Sequence, residues 1–211
     1  MKINEIYKSI QGESSFAGLP CVFIRLTYCN LRCTYCDTAY AFYDGKEMSV
    51  DDVLAAVRAC DCSLVELTGG EPLLQKEVYQ LMDHLLAAGY SVLLETGGSL
   101  DIGDVPPPVI KIMDLKCPSS GESDKNRYDN LQKLQPHDEI KFVIGSREDY
   151  LWTLEVMRKY HLKERGHVLF STVFGGLAPQ ELAAWILEDK LDVRLQLQLH
   201  KYIWNPDKRG V

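Results

Sequence analysis

The sequence predicts an α/β fold, an incomplete and partly open parallel (β/α) barrel. Three observations support this prediction. Strand-like and helix-like segments alternate along most of the 211 residues, and a repeated β-α-β order gives a parallel sheet with right-handed crossovers. The connections of residues 96–108 and 118–138 lack a helical pattern, so the ring of strands is expected to stay open. Polar and glycine residues recur at one end of the apolar strands, where the loops of a parallel barrel converge.

The N-terminal part of the chain provides two strands and a helix. The first strand is expected to end near Tyr7, and a loop rich in glycine and small polar residues follows it. Residues 21–27 are almost continuously apolar, which is typical of a strand covered on both faces. Arg25 interrupts this strand and therefore needs a partner. Ser49, with Asp52 three residues later, is expected to cap the first helix.

The next strand, at residues 63–68, leads into a turn that ends in Pro72, which is placed near the first position of a helix. Gly89 is expected to end that helix. Its buried face would carry Leu74, Val78, Leu81, Met82 and Leu85. The remaining elements are predicted as strands at residues 91–95, 109–115, 139–144, 167–172 and 193–199, and as helices from about Arg147 to Tyr160 and after Pro179.

Composition limits the classes of function. The formal net charge of -7 argues against a general binder of phosphate backbones, so nucleic acid is not expected as a direct partner. The N-terminal residues contain no long apolar segment or small-residue cleavage site, and no apolar run is long enough to span a bilayer. We therefore expect a single cytoplasmic domain, residues 1–211, with no membrane partner. In a reducing compartment, seven cysteines are better explained by metal binding and packing than by disulfides.

Three of these cysteines, Cys29, Cys33 and Cys36, fall within eight positions directly after a strand. Their thiolates can hold three corners of a cubane iron–sulfur cluster and leave the fourth iron for another ligand. Zinc is the competing metal, but it normally requires four protein ligands or three and a water, and no histidine lies nearby in sequence. The other cysteines are scattered over several elements and are expected to be ordinary thiols rather than a second cluster. They are Cys21, Cys60, Cys62 and Cys117.

The cysteine loop, with Tyr35 before its third cysteine, and the later Gly69-Gly70-Glu71-Pro72 together resemble the radical S-adenosylmethionine (radical SAM) superfamily. The resemblance implies the partly open barrel of the radical SAM type. It also implies that S-adenosylmethionine chelates the open iron of a 4Fe-4S cluster and is cleaved to a 5'-deoxyadenosyl radical by one electron. Glycines without side chains would let the backbone approach the methionine moiety closely.

Further motifs resemble the 7-carboxy-7-deazaguanine synthase family over nearly the whole chain. These are Ile10-Gln11-Gly12-Glu13, Arg25, Cys36-Asp37-Thr38, Glu95-Thr96-Gly97-Gly98-Ser99 and His200-Lys201-Tyr202. This resemblance implies a lyase of queuosine and 7-deazapurine biosynthesis that converts 6-carboxy-5,6,7,8-tetrahydropterin to 7-carboxy-7-deazaguanine with loss of ammonia. It also implies a homodimer and an external electron donor, flavodoxin- or ferredoxin-like.

The same resemblance implies which residues form the site. The ligands of the cluster that generates the radical would be Cys29, Cys33 and Cys36. S-Adenosylmethionine would be bound by Tyr35, Cys36, Asp37, Gly70, Glu71, Asp114, Lys116, Ser171, Thr172, Val173 and Phe174. The pterin would be bound by Ile10, Gln11, Gly12, Glu13, Arg25, Thr68 and Pro206. Arg25 could pair bidentately with the substrate carboxylate, and the Thr38 hydroxyl would bind magnesium, a hard cation that prefers oxygen ligands.

Other readings of the same residues stay open. Another small radical SAM enzyme, an activase of a glycyl-radical enzyme, would share the cysteine loop but not Arg25 or residues 11–13. A non-catalytic iron–sulfur or zinc-binding module would share only the cysteines. Taken singly, Arg25 could form a structural ion pair and Thr38 could be an ordinary turn residue.

Overall fold

Nine strands and five α-helices make up the computed structural model, which describes all 211 residues. The strands are β1 (Lys2–Ile10), β2 (Pro20–Leu26), β3 (Lys46–Glu47), β4 (Leu64–Gly69), β5 (Ser91–Thr96), β6 (Ile110–Asp114), β7 (Glu139–Ile144), β8 (His167–Thr172) and β9 (Arg194–Gln196). The helices are α1 (Val50–Ala59), α2 (Glu77–Ala87), α3 (Arg147–Lys159), α4 (Pro179–Glu188) and α5 (His200–Ile203). None of the helices combines the length and the apolar character that a membrane span requires.

The strands form one sheet in the order β3-β1-β2-β4-β5-β6-β7-β8-β9. From β2 to β9 every neighbouring pair is parallel, as the alternating pattern predicts. β1 and β3 are antiparallel to their neighbours, because β1 returns directly into β2 through a short loop with no crossover helix. β3 and β9 are the two edges of the sheet, so the prediction of an open barrel is confirmed.

The two faces of the sheet have different cores. The outer face packs against the helices in a cluster of 36 buried residues, which includes Val57 of α1 and Leu81 of α2. Each such side chain contributes roughly 1.5–3 kcal/mol by leaving water. The inner face carries a smaller buried cluster at one end of the barrel. We call this cluster the apolar plug, and it consists of Cys21, Phe23, Leu64, Leu93 and Ile112.

The helix signals of the sequence are confirmed in part. The Ser49 and Asp52 side chains form a complete capping box at the start of α1, and Gly89 follows α2 with a left-handed φ of 84°. Pro72 begins only a short 3-10 helix, whereas α2 begins at Glu77. The prediction that Leu74 belongs to the buried face is therefore wrong, because Leu74 lies before α2 and is 39% exposed. The other four residues predicted for that face are buried.

The ends of two strands differ from the prediction. β1 extends past Tyr7 to Ile10, because the ladder with β2 continues until Ile10 pairs with Pro20. The strand predicted at residues 193–199 is shorter, since β9 ends at Gln196 and the chain turns into α5. The connections without a predicted helix indeed contain no α-helix.

Candidate active site

The inner face of the barrel changes from apolar to polar toward the carboxyl ends of its strands. Along β2, Phe23 of the apolar plug is followed two residues later by Arg25, and along β5 Leu93 is followed by Glu95. Residues two apart on a strand share a face, and the strand register keeps this face aligned from β2 to β9. We call the resulting set the inner polar layer: Arg25, Glu66, Thr68, Glu95, Asp114, Lys141 and Gln196.

The cysteine loop begins directly after β2, above the inner polar layer. Tyr28 has a left-handed φ of 78°, and its N–H donates to the carbonyl of Ala41 at 3.0 Å, which closes the loop. Cys29, Cys33 and Cys36 are half-buried free thiols. Burial raises the pKa of each of them, that of Cys33 to about 11, while the Lys116 ammonium acts in the opposite direction. A positive charge is thus present where three thiolates would be needed.

Asp114 and Lys116 lie at the end of β6, next to this loop. The Lys116 Nζ is 2.6 Å from Asp114 Oδ2, and although burial opposes it, the charges of Asp114 and Cys33 raise the pKa of Lys116. The other carboxylate oxygen, Asp114 Oδ1, is buried without a hydrogen-bond partner. Buried polar atoms are almost always satisfied, so an orphaned one calls for a bound group. Three soft thiolates in one loop beside an orphaned acceptor fit an iron–sulfur cluster with a polar ligand.

Gly70 brings the end of β4 against the cysteine loop. A Cβ atom at this position would lie 2.0 Å from the carbonyl oxygen of Tyr28, so only glycine allows the two backbones to approach. The next residue, Glu71, donates its N–H to that same carbonyl at 2.8 Å. The buried Glu71 carboxylate accepts hydrogen bonds from the N–H of Leu73, the hydroxyl of Thr96 and the N–H of Gly97. These contacts favour a structural role for this carboxylate over the predicted contact with S-adenosylmethionine.

The loop after β1 fills the open seam between β1 and β9. The Gln11 side chain donates to Glu66 of the inner polar layer, and the carbonyl of Gly12 accepts from Leu199 at 2.8 Å. A Cβ atom on Gly12 would collide with the ring of His200, which explains the glycine. The structure therefore brings the predicted pterin-binding residues Gln11 and Gly12 to the inner polar layer, together with the beginning of α5.

Lys141 of β7 joins several of these acidic groups. Its Nζ lies 2.5 Å from Glu13 Oε2 and 2.6 Å from Glu95 Oε1. Burial works against charge at Glu13, yet the Lys141 ammonium lowers the pKa of Glu13. The pKa of Glu66 is raised well above its ordinary value by burial and by the charges of Glu95 and Glu13. The layer therefore combines the ion pairs of Lys141 with a buried carboxyl, Glu66, whose pKa is raised.

Sequence reasoning named Glu95 only as part of a family motif and did not single out Glu66, Lys141, Gln196 or Gln198. The sequence could have indicated a role for two of them, because Glu66 and Lys141 are charged residues inside otherwise apolar strands. Gln196 and Gln198 are different, since they donate to Glu13 at 3.2 Å and 3.0 Å only because the barrel stays open at β9. Nothing in the local sequence indicates that contact.

The partner that Arg25 requires inside this strand is Glu5. Arg25 Nε donates to Glu5 Oε1 at 2.7 Å, and Arg25 Nη2 donates to the Tyr7 hydroxyl at 2.8 Å. Arg25 lies on the inner face beside Thr68, its register partner on β4. The guanidinium is thus held from one side by β1 within the inner polar layer.

Asp37 and Thr38 follow the last cysteine and contact the C-terminal part of the chain. Thr38 Oγ1 donates to Asp37 Oδ1 at 2.9 Å, and Lys201 Nζ lies 2.6 Å from Asp37 Oδ2. Although burial opposes it, the Lys201 ammonium lowers the pKa of Asp37. α5 is therefore fastened to the cysteine loop by an ion pair.

The remaining predicted site residues differ in their positions. Ser171 and Thr172 are buried at the end of β8, and Val173 follows them, with its N–H donating to Ile144. Phe174 packs edge-to-face on Tyr202. Three further residues lie at the borders of the site: Ile10 ends β1, Tyr35 is half-buried with its hydroxyl 3.5 Å from the carbonyl of Val143, and Pro206 is exposed in the C-terminal segment.

The fold and the cysteine loop define a class of protein. Residues 23–115 match the family model of the Radical SAM superfamily, a range that begins in β2 and includes the cysteine loop, Gly70 and Asp114. The cofactors of this class are a 4Fe-4S cluster and S-adenosylmethionine, which the three thiols and the orphaned Asp114 oxygen fit.

Full-length relatives narrow this class. The chain is 50% identical to the 7-carboxy-7-deazaguanine synthase of Koribacter versatilis, with both chains covered completely. It is 48% identical to the 7-carboxy-7-deazaguanine synthase of Chlorobaculum tepidum, covering all of this chain and 97% of the relative. The crystal structure of QueE from Escherichia coli has a similar fold, with a TM-score of 0.79 and 24% identity over 94% of each chain. The chain belongs to the 7-carboxy-7-deazaguanine synthase family and is a radical SAM lyase.

Proposed function

We propose that this chain converts 6-carboxy-5,6,7,8-tetrahydropterin to 7-carboxy-7-deazaguanine with loss of ammonia, a step toward queuosine and other 7-deazapurines. The observation that carries the proposal is the contact between two regions of the site. Asp114, which pairs with Lys116 beside the three thiols, is the register neighbour of Lys141 in the inner polar layer. A substrate held by this layer would thus lie next to the cysteine loop.

The residues of the cysteine loop would hold the cofactors. Cys29, Cys33 and Cys36 would each supply one thiolate to the cluster, and the Lys116 ammonium would favour their ionised form. Asp114 Oδ1 would accept a hydrogen bond from S-adenosylmethionine. When bound, the cluster and S-adenosylmethionine supply a one-electron cleavage and with it a carbon radical that can remove a hydrogen atom from the substrate.

The inner polar layer would hold the pterin. Arg25 would bind its carboxylate, and the side-chain oxygens of Glu13 and Glu95, both paired with Lys141, are suited to the N–H donors of its aminopyrimidinone ring. The hydrogen atom on C6 is the one that we propose is abstracted, before ring contraction and ammonia loss. Charge and shape in this layer would thus select a pterin that carries a carboxylate.

Three further parts of the proposal concern partners. The Thr38 hydroxyl, substrate oxygens and waters would bind Mg2+, which prefers hard oxygen ligands. A flavodoxin- or ferredoxin-like protein would deliver the electron to the cluster. The chain would act as a homodimer in the cytoplasm.

The proposal is tested by anaerobic incubation of reconstituted protein with reductant, S-adenosylmethionine, Mg2+ and 6-carboxy-5,6,7,8-tetrahydropterin, followed by mass analysis. We expect 7-carboxy-7-deazaguanine and one equivalent of ammonia for each product. Cleavage of S-adenosylmethionine without this product would contradict the substrate assignment and would favour a glycyl-radical activase. A reduced cluster that does not cleave S-adenosylmethionine would favour a non-catalytic iron–sulfur module.

A further inference from the structure

Three side chains that belong to no motif of the sequence surround Arg25. We call them the cage: Glu5, Tyr7 and Tyr40. Glu5 Oε1 accepts from Arg25 Nε at 2.7 Å and also from the Tyr40 hydroxyl at 2.9 Å. The Tyr7 hydroxyl accepts from Arg25 Nη2 at 2.8 Å. The Arg25 Cζ atom lies 6.0 Å from the ring centre of Tyr7 and 5.8 Å from that of Tyr40. The guanidinium is therefore fixed by two hydrogen bonds and lies between two aromatic rings.

An irregularity in β1 brings Glu5 into this cage. Ile3 pairs with Leu26 and Glu5 pairs with Arg25, so β1 advances by two residues while β2 advances by one. Asn4 is the extra residue of a β-bulge, and its side chain donates to the carbonyl of Asp44. Without the bulge, Asn4 would stand opposite Arg25 and Glu5 would point to the other face of the strand. The bulge therefore lets Ile3 join the outer core while Glu5 faces the inner polar layer.

We propose that Glu5 is a positioning residue, which with Tyr7 and Tyr40 orients the Arg25 guanidinium so that its remaining donors meet the substrate carboxylate. This inference rests on the proposed function, because it needs a carboxylate ligand for Arg25. The N–H of Arg25 Nε donates to Glu5, and one N–H of Nη2 donates to the Tyr7 hydroxyl. The edge formed by Nη1 and Nη2 is the one that would bind the ligand. An arginine fixed before binding loses less side-chain entropy when the substrate arrives.

Glu5 has two opposing effects on this arginine, and they can be separated by mutation. Its hydrogen bond orients the guanidinium, whereas its negative charge weakens the attraction of Arg25 for an anionic substrate. Glu5→Gln keeps an oxygen acceptor for Nε but removes the charge. Glu5→Ala removes both. A positioning role predicts that Glu5→Ala weakens substrate binding and that Glu5→Gln does not.

The C-terminal segment contacts the cage through Tyr40. The Arg209 Cζ atom lies 3.9 Å from the ring centre of Tyr40, which is close enough for a cation–π contact. Tyr40 belongs to a short 3-10 helix, Ala39–Phe42, that follows the cysteine loop. Arg209 thus holds the ring of the residue that donates to Glu5.

The test compares Glu5→Ala, Glu5→Gln and the surface variant Glu155→Ala, whose glutamate is exposed on α3. Steady-state kcat and KM are measured for 6-carboxy-5,6,7,8-tetrahydropterin and for its 6-carboxamide analogue at saturating S-adenosylmethionine. For the natural substrate we expect Glu5→Ala to raise KM about tenfold or more, with kcat changed far less. Glu5→Gln should leave KM unchanged or lower it, and Glu155→Ala should resemble the parent protein. For the carboxamide, the Glu5→Ala effect should disappear.

Several results would overturn the inference. It fails if Glu5→Ala and Glu5→Gln both lower KM, because the charge alone would then matter. It also fails if Glu5→Ala raises the KM of acid and carboxamide equally, as a merely structural ion pair would do. Cluster content and the affinity for S-adenosylmethionine, measured on the same samples, show whether the variant is folded. If the parent protein does not convert the pterin, the proposed function fails instead, and the two failures are thus distinguishable.

Discussion

The two halves of the inner face show how one set of strands serves two purposes. The apolar plug, with Phe23 and Leu93, fills one end of the barrel with side chains that need no partner. Two residues further along the same strands, Arg25 and Glu95 are buried or half-buried charges, and each of them depends on a partner from another strand. Buried charges are costly unless they are paired, so the inner polar layer lowers stability relative to an apolar filling. A site that uses these charges accounts for this cost.

The largest difference between the two ends of the barrel is expected for substitutions of their cysteines. Cys33→Ala removes one thiolate of the proposed cluster and is expected to abolish its assembly, since two thiolates do not hold a cubane. Cys62, at the other end of the barrel where its thiol contacts the Pro20 carbonyl, is the matched control. Cys62→Ala should retain the cluster. Iron and sulfide content after anaerobic reconstitution measures both, and a full cluster in Cys33→Ala would refute the assignment.

Lys141 tests whether the inner polar layer is more than a structural network. Lys141→Met leaves Glu13 and Glu95 without their cation and should lower the free energy of unfolding by about 3–5 kcal/mol. Lys111, which pairs with Asp138 at 2.9 Å and is equally buried, is the matched control outside the layer.

Urea unfolding and kinetics on both lysine variants distinguish the two roles. Lys111→Met should lower the free energy of unfolding by a similar amount and leave the KM for the pterin unchanged. Lys141→Met should lower the free energy of unfolding and also raise this KM. Equal kinetic effects in the two variants would mean that the layer acts only through the fold.

Gly70 tests the close approach of β4 to the cysteine loop. Gly70→Ala places a Cβ 2.0 Å from the Tyr28 carbonyl and should cost about 3 kcal/mol, because backbone on both sides must move. Gly89→Ala is the control, since a Cβ atom at this position has no neighbour within 4 Å and only the φ of 84° is unfavourable for alanine. It should cost about 1 kcal/mol. Urea unfolding of the cluster-free proteins gives both values, and a smaller loss for Gly70→Ala than for Gly89→Ala would contradict the account.

Replacement of Glu66 gives the smallest effect on stability, and the size of that effect depends on pH. Its pKa is raised by burial and by neighbouring carboxylates, so the folded state binds this proton more tightly than the unfolded state does. Stability is therefore lost as pH rises above the ordinary range of a glutamate toward the raised pKa. Glu66→Gln removes that loss and keeps an acceptor for Gln11. Thermal melts should show that the variant gains stability over the parent at alkaline pH and little at acidic pH, and the reverse order would be inconsistent with a protonated Glu66.

Most of the architecture could be predicted from sequence because it depends on local pattern. The strands at residues 139–144 and 167–172 and the Ser49 cap follow from runs of apolar residues and from capping chemistry. β3 and α5 could not be predicted, since two residues and four residues are too few for a periodic signal. They exist because they pack on β1 and on the cysteine loop.

The site also contains residues that local sequence predicts and residues that it does not. Cys29, Cys33, Cys36 and the turn at Gly70 are short motifs whose chemistry is visible in the sequence. Glu5 could not be found, because one extra residue in β1 decides whether it faces the site or the outer core. A bulge of this kind is set by tertiary contacts on both faces of a strand, and no local pattern reports it.

The central claim is that the cysteine loop and the inner polar layer form one active site. It is tested most directly by a single anaerobic turnover with 6-carboxy-5,6,7,8-tetrahydropterin deuterated at C6. The account predicts 7-carboxy-7-deazaguanine and transfer of the deuterium to the 5'-deoxyadenosyl group, found in 5'-deoxyadenosine or in S-adenosylmethionine. Product without that transfer, or cleavage of S-adenosylmethionine with deuterium left in unchanged pterin, would contradict it.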